Sequence, residues 1–320
     1  MLRSLGSTPM QVSAVAMGCW PIAGMTSLNV TREQSLSTLR AARESGINFF
    51  DTAYCYGPDG ESERMIGEVL GAERDEVVIA TKAGISWNPD GSRRLDAKPE
   101  TIKRHFRESC RRLGAERVDL FYLHAPDPGL PIEDSAGAFR ELYDEQQVRA
   151  VGVSNVSLEQ LRAFDQVCPV HCVQPPYNML QREIERDLLP WCHERDIAVC
   201  VYWPLLKGLL AGKLPRDHVF APQDGRAKYP MFQGEQWQRN QDLVDDLRPI
   251  AGELGCSVAT LVVAWTIGQP NITTALCGAK RPDQIQESAA AMSLQLDESV
   301  RNKIAAALSR RGEVVSRGAV

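Results

Sequence analysis

Asn48-Phe49-Phe50-Asp51-Thr52-Ala53-Tyr54-Cys55-Tyr56 opens, soon after Gly46, as the apolar run of a buried strand. It turns polar at Asp51, a carboxylate that burial penalises unless a partner meets it. Two further apolar runs offer partners at the matching place. Val77-Val78-Ile79-Ala80-Thr81 ends in Lys82, and Val118-Asp119-Leu120-Phe121-Tyr122-Leu123 ends in His124. Asp, Tyr, Lys and His thus recur at strand exits. Parallel neighbouring strands would bring them to one end of one sheet, where parallel α/β folds carry their chemistry.

Outward from this stretch the same unit repeats. Leu2 to Ser13, around Gly6-Ser7-Thr8-Pro9, reads as a small hairpin before a first core strand, Val12 to Gly18. Thr31 with Gln34 signals the start of a helix that stops at Gly46. Strand 47–51 is followed by a helix over 62–70, strand 77–81 by a loop 84–97 and a helix from Pro99 to Leu113, and strand 118–123 by a helix over 132–145. Val148 to Val153 ends in Ser154-Asn155, Ser157 and Gln160 cap the next helix, and His171 to Gln174 runs into Pro175-Pro176, which must end its ladder. Ile197 to Val201 leads into Tyr202-Trp203-Pro204-Leu205. A long connection from Lys207 to about Gln236 precedes helices over 236–254 and 257–268, strand 273–277, a helix over 282–291 and a last helix capped by Asp297. Eight alternations without a linker predict one domain over 1–320: a (β/α)8 TIM barrel with an N-terminal β-hairpin and extra helices near the C-terminus. An open doubly wound sheet is the competing fold, but no Gly-x-Gly-x-x-Gly follows the first strand.

Composition narrows the function classes. A net charge of −5 over 320 residues leaves no basic stripe for a nucleic-acid backbone. No apolar run approaches a membrane span, and the N-terminus has no apolar leader pattern, so a cytoplasmic protein is expected. Nine cysteines, odd in number and mostly inside apolar runs, suit reduced core thiols.

Asp51, Tyr56, Lys82 and His124 form a coherent chemical set. A phenol titrating near ~10 is a weak donor and a worse base unless a cation favours its phenolate. Lys82 would be that cation, Asp51 would hold it, and His124 would orient the reacting oxygen. Each residue has a bland explanation alone: a structural ion pair, a core histidine, a loop aromatic. Their common origin at consecutive strand exits makes the joint reading the stronger one.

Here the chain resembles the aldo-keto reductases. The matching stretches are Phe49-Phe50-Asp51-Thr52-Ala53 through Tyr56-Gly57, Ile79-Ala80-Thr81-Lys82, Leu120-Phe121-Tyr122-Leu123-His124, Gly152-Val153-Ser154-Asn155, and Gly278-Ala279 with Gln284 and Glu287. The resemblance implies an NADP(H)-dependent barrel that passes hydride between nicotinamide and a carbonyl carbon. Asp51, Tyr56, Lys82 and His124 would be catalytic, with Tyr56 as general acid in reduction and base in oxidation. It further implies that Ser154, Asn155 and Gln174 hold the carboxamide, that Asp51 also contacts the cofactor, and that Tyr202 stacks on the nicotinamide. Cys19 and Trp20 would touch the cofactor at the first strand exit, Cys19 standing where a threonine is frequent. Trp203, Pro204, Leu205 and Lys207, with Lys213 and Arg226, resemble the loop over the pyrophosphate. Gly278, Lys280, Gln284, Glu287 and Ser288 match the adenosine end, with Ser288 in place of the usual asparagine. Lys280 and Arg281, at a helix start, offer a seat for a 2′-phosphate, or stand as a solvated pair next to Pro282.

The expected substrate is therefore a small aldehyde, ketone or sugar hemiacetal, with Trp20, Trp87 and Trp203, and Phe232 beyond them, as pocket walls. The alternative from another class is a nucleotide-sensing regulatory subunit like the potassium-channel β proteins, which carry asparagine where this chain has His124. A lyase using Lys82 as a Schiff base would need an unpaired lysine, against the expected Asp51 pairing. The Cys168-x-x-His171-Cys172 cluster, with Cys192-His193, suggests zinc. His171 and Cys172, adjacent on a strand, point to opposite faces, so no metal site is expected.

Overall fold

The computed structural model describes residues 1–24, 29–222 and 224–315. Positions 25–28 of the polar loop after Trp20, and position 223 of the long connection, lie outside the described residues. The chain begins with β1 (Leu2–Ser4), β2 (Gln11–Ser13), β3 (Val15–Gly18), α1 (Arg32–Glu44), β4 (Phe49–Asp51), α2 (Glu61–Leu70) and β5 (Val78–Ala83). It continues with β6 (Ile85–Trp87), β7 (Arg93–Leu95), α3 (Pro99–Leu113), β8 (Val118–Leu123), α4 (Ile132–Asp144), β9 (Val148–Ser154) and α5 (Leu158–Val167). The last part is β10 (Cys172–Gln174), α6 (Leu188–His193), β11 (Ala198–Tyr202), α7 (Gly234–Glu253), α8 (Val258–Ile267), β12 (Thr274–Gly278), α9 (Pro282–Ala289) and α10 (Glu298–Arg311). Eight strands close into a barrel in the order β10-β11-β12-β3-β4-β5-β8-β9, every pair parallel. This is the (β/α)8 barrel expected from the alternation of strand and helix.

Local signals act where they were read. Thr31 Oγ1 accepts from the Gln34 amide at 3.2 Å to start α1, and Ser157 and Gln160 form a reciprocal capping box on α5. Pro99 opens α3, and Gly114 closes it at a φ of 66°. In α8 every residue is buried, which explains an apolar run without a polar face. No single described helix is long and apolar enough to cross a membrane.

The N-terminal hairpin closes the bottom of the barrel. Leu5, Met10 and Val12 are buried in one cluster with the inward residues Phe49, Val78, Leu120 and Cys200. Full burial of such side chains stabilises by about 1.5–3 kcal/mol each. Gly6 makes this docking possible: a Cβ there would lie 2.6 Å from the Asp196 carbonyl and 2.7 Å from that of His171.

Two boundaries differ from the sequence reading. The expected strand Val12 to Gly18 is broken at Ala14, so that Gln11–Ser13 pairs with β1 while Val15–Gly18 joins the barrel. Ser13 makes the break by donating from Oγ to the Val15 carbonyl at 2.7 Å and from its amide to Asn48 Oδ1 at 2.7 Å. The segment 84–97, expected from the sequence as loop, contains an antiparallel hairpin, β6–β7. Pro89-Asp90-Gly91 was its available turn signal, and Gly91 takes a φ of 77° there.

Candidate active site

The carboxyl ends of β4, β5 and β8 lie side by side, and the Asp51–Lys82 pair expected from the sequence forms across them. Lys82, 1 % exposed, donates from Nζ to Asp51 Oδ1 at 2.5 Å and to the Thr52 carbonyl at 2.7 Å. The second carboxylate oxygen is met from across the barrel, where Gln174 Nε2 donates to Asp51 Oδ2 at 2.8 Å. Two ions can be held out of water only if their remaining hydrogen-bonding positions are filled, and here both carboxylate oxygens are. Burial still lifts the Asp51 carboxyl above its ordinary range, with Lys82 and Gln174 pulling the other way.

Tyr56 stands over this pair on the loop after β4. Its amide donates to the Ala53 carbonyl at 3.0 Å, and its carbonyl accepts from the Ser62 amide at 3.2 Å, so the first turn of α2 fixes its backbone. The ring centre lies 5.1 Å from Lys82 Nζ, 4.9 Å from the Trp20 ring and 5.9 Å from that of His124. Among the described residues none hydrogen-bonds the Tyr56 hydroxyl. The sequence reading expected Lys82 to favour phenolate; in the structure the phenol is pushed well up, by burial first and then by the Asp51 charge. Lys82 spends its charge on Asp51, so the resting side chain is a neutral phenol. His124 is pushed well below its ordinary value by burial first and then by the Lys82 and Arg93 charges, so its imidazole is neutral. Its Nδ1 lies 3.6 Å from Cys55 Sγ.

A shelf of amides adjoins these groups. Ser154 Oγ donates to the Gln174 carbonyl at 2.8 Å, Asn155 Nδ2 donates to the His124 carbonyl at 2.8 Å, and the Tyr202 hydroxyl donates to Asn155 Oδ1 at 2.8 Å. Asn155 takes a left-handed φ of 57°. After Tyr202 the chain is unusual: Trp203, Leu206 and Lys207 have φ values of 62°, 44° and 56°, and Gly208 follows at 91°. Three non-glycine residues in this region within five positions mark stored backbone strain, which collects at ligand-holding loops. Pro204 is buried and Leu205 half-buried in this loop. Lys207 Nζ sits 4.2 Å from the Trp203 ring centre, and Arg226, clamped by Asp224, donates to the Lys207 carbonyl at 3.3 Å.

Farther out, exposed and half-exposed pairs take over. Lys213 meets Glu287 at 2.6 Å, Arg281 meets Asp283 at 3.0 Å, and the Lys280 amide donates to Gln284 Oε1 at 2.9 Å. Ser288 is buried, with Oγ donating to the Gln284 carbonyl at 3.1 Å. Gly278 is exposed at the end of β12, where a Cβ would come 2.9 Å from Pro21. The Lys280 ammonium is lowered, by burial first and then by Arg226, with Asp224 opposing.

The profile of the Aldo/keto reductase family matches residues 14–309. The chain belongs to this family. It is similar to an aldo-keto reductase from Escherichia coli (strain K12) named NADH-specific methylglyoxal reductase, at 33 % identity over 96 % of this chain and 98 % of that one. An Arabidopsis thaliana relative, named a probable voltage-gated potassium channel subunit beta, is 32 % identical over 91 % of each chain. Among solved structures, the glycerol dehydrogenase AKR11B4 from Gluconobacter oxydans superposes with a TM-score of 0.89, at 32 % identity and 98 % coverage of both chains. Aldo-keto reductases are oxidoreductases that use nicotinamide cofactors on carbonyl compounds.

Against the expectations for this aldo-keto reductase, three residues stand apart. The Cys19 thiol is fully buried and points back to the Met17 carbonyl at 3.5 Å, while its amide donates to the Asp51 carbonyl. Trp20 and Trp87 come together at 6.4 Å, but Trp203 packs on Tyr202 and Lys207 instead. Phe232 is buried between Phe220 and Trp237, a core residue and no pocket wall. On β10, Cys172 turns inward to Tyr122 and Cys200, whereas His171 Nδ1 accepts from the Val151 amide.

The sequence reading missed the support under the Tyr56 loop. Glu63 and Arg112 form a buried pair at 3.1 Å, Thr81 donates to Glu63, and Arg112 also donates to the Tyr54 carbonyl at 3.0 Å. Tyr54 stacks on His105 at 3.6 Å. Glu63 lies in a first helical turn and Arg112 in a last one, positions where such charges are ordinary, so no local signal distinguishes them.

Proposed function

We propose that this aldo-keto reductase interconverts an aldehyde, ketone or sugar hemiacetal with its alcohol or lactone, using NADP(H), with Tyr56 as general acid in reduction and general base in oxidation. The observation that carries this reading is the unpartnered Tyr56 hydroxyl, neutral at rest, between neutral His124 and the buried Lys82–Asp51 pair.

The donor set fits a nicotinamide dinucleotide. Ser154, Asn155 and Gln174 offer amide and hydroxyl groups for a carboxamide, and Tyr202, tethered through its hydroxyl, keeps a half-exposed ring for stacking. The strained loop from Trp203 to Gly208 follows Tyr202 directly and is held by Arg226, which donates to the Lys207 carbonyl. When bound, the cofactor supplies the hydride that adds to a carbonyl carbon, and takes it back in oxidation. Tyr56 donates its proton to the carbonyl oxygen as the hydride arrives. The phenolate left behind then faces the Lys82 charge, which Asp51 holds in place, until a proton returns from water. His124, neutral, orients the same oxygen without adding a competing charge.

The preference for NADP(H) rests on Lys280, Arg281 and Arg226, three cations against the carboxylates of Asp224 and Asp283. One excess positive charge at a helix start suits a 2′-phosphate. NADH use, as named for the Escherichia coli relative, is the competing outcome. A nucleotide-sensing regulatory subunit is the second reading, and the Arabidopsis relative is named a probable voltage-gated potassium channel subunit beta. A carbonyl panel with NADPH and NADH, followed by the absorbance of reduced nicotinamide, tests all three. Turnover should appear in the parent and fall by about 10²-fold or more in Tyr56→Phe with cofactor affinity kept. Cofactor binding without any turnover would favour the sensor.

A further inference from the structure

The proposed chemistry gives no role to hairpin β6–β7, although it walls the mouth of the site. Its register pairs Ile85 with Leu95, Ser86 with Arg94 and Trp87 with Arg93. Opposed residues of an antiparallel pair share a face, and successive pairs alternate faces. Ile85 and Leu95 pack with Ala53, Cys55 and Tyr56, so their face looks toward the site. Trp87 and Arg93, two residues along, lie on that same face. The Trp87 contacts agree: its Nε1 donates to the Cys55 carbonyl at 2.7 Å, and its ring lies 6.4 Å from Trp20. Arg94 takes the other face and pairs with Asp96 at 3.1 Å.

The two adjacent arginines therefore have different fates. Arg93 is exposed, and among the described residues its guanidinium has no carboxylate in ion-pair range and no hydrogen-bond acceptor. The charge reaches the site from this hairpin: it works downward on His124, Cys55 and Tyr202, three groups on three separate elements. Among the described residues no carboxylate pairs with it, and Asp51 beneath is committed to Lys82 and Gln174. Below Arg93 the walls are the rings of Trp20, Trp87 and Tyr56, which suit an apolar spacer.

We infer that Arg93 determines specificity, and that the preferred substrates are carbonyl compounds carrying an anionic group, a carboxylate or a phosphate, on the side away from the reacting carbon. The guanidinium fork matches either group in two parallel hydrogen bonds. Tyr56 would meet the carbonyl while Arg93 meets the anion, so the aromatic walls set the distance between them.

This inference rests on the carbonyl-reducing reading above, and matched substrate pairs separate the two. One pair is para-formylbenzoate and its methyl ester; the other is glyceraldehyde phosphate and glyceraldehyde. In the parent, kcat/KM for the charged member of at least one pair should exceed that of its neutral partner by about tenfold or more, mostly through KM. The pair that responds identifies the anion. Arg93→Met should bring that ratio close to one, Arg93→Glu should invert it, and Arg93→Lys should keep part of it, with unchanged melting in all three. If the parent handles neutral members as well as charged ones, or if Arg93→Met leaves the ratio unmoved, the inference is overturned while carbonyl reduction stands. No turnover of any member with either cofactor would overturn both.

Discussion

The inner and outer ends of the proposed cofactor cleft are built from opposite materials. At the inner end, Asp51, Lys82, Gln174, Ser154, Asn155 and Tyr202 hold one another through buried or half-buried hydrogen bonds, most of which join residues far apart in the chain. At the outer end, Lys213–Glu287 and Arg281–Asp283 are exposed or half-exposed pairs, and the second lies two residues apart on one helix start. A buried network is costly to break, because each lost partner leaves a desolvated group behind. An exposed pair exchanges its partner for water or a ligand at little cost. Under the proposed function, chemistry would belong to the inner end, and choice of cofactor would change at the outer end by single charges.

The sharpest way to break this contrast is Lys82→Met. It strips Asp51 of its cation inside the barrel, and turnover should fall by about 10²-fold or more. Stability should fall with it by about 3–5 kcal/mol, since an uncompensated charge stays buried. Denaturant unfolding of this variant beside Tyr56→Phe checks the difference: the tyrosine variant should lose rate alone. Equal stability of the two would mean that the inner pair is not the strut described here.

Acid should reach the inner end through His105, beneath Tyr54. Burial first, and then the Arg104 charge, lower its imidazole from the ordinary 6.5 to about 4. Between those values the unfolded chain binds a proton that the folded chain refuses. The contribution is thus complete above pH 6.5 and lost as pH falls through 4, a slope worth about 3 kcal/mol in all. Melting followed from neutral pH down to pH 4 should show the decline, and His105→Gln should flatten it.

The outer end predicts smaller and more selective effects. Arg281→Ala should weaken NADPH binding by about tenfold and leave NADH nearly unchanged, as read by fluorescence titration. Asp283→Asn should act the other way, by freeing Arg281. Smallest of all, raising salt should erode NADPH affinity severalfold more than NADH affinity, because exposed charges are screened and buried ones are not. Identical salt responses would remove the 2′-phosphate seat.

Much of this arrangement was legible before folding. The barrel followed from the alternation of apolar runs with capped helical periods. The Asp51–Lys82 pair followed from a carboxylate at the end of a buried run, which must find a cation. Other features carried no such mark. Gln174 looked like the last residue of a short strand before two prolines, and nothing local tied it to Asp51, 123 residues away in the chain. Arg93 and Arg94 are adjacent residues of one type, and only the hairpin register turns them to opposite faces.

By itself, then, the sequence determined which segments supply the barrel strands, which residues stand at their exits, and that a buried charge needed an opposite one, because these depend on periodicity and on desolvation cost within a few residues. Tertiary structure alone decided the direction of the Tyr56 shift, the strut of Glu63 and Arg112 beneath it, the withdrawal of the Cys19 thiol and the freedom of Arg93. Those depend on distances between residues far apart in the chain. Such distances exist only once the barrel has closed.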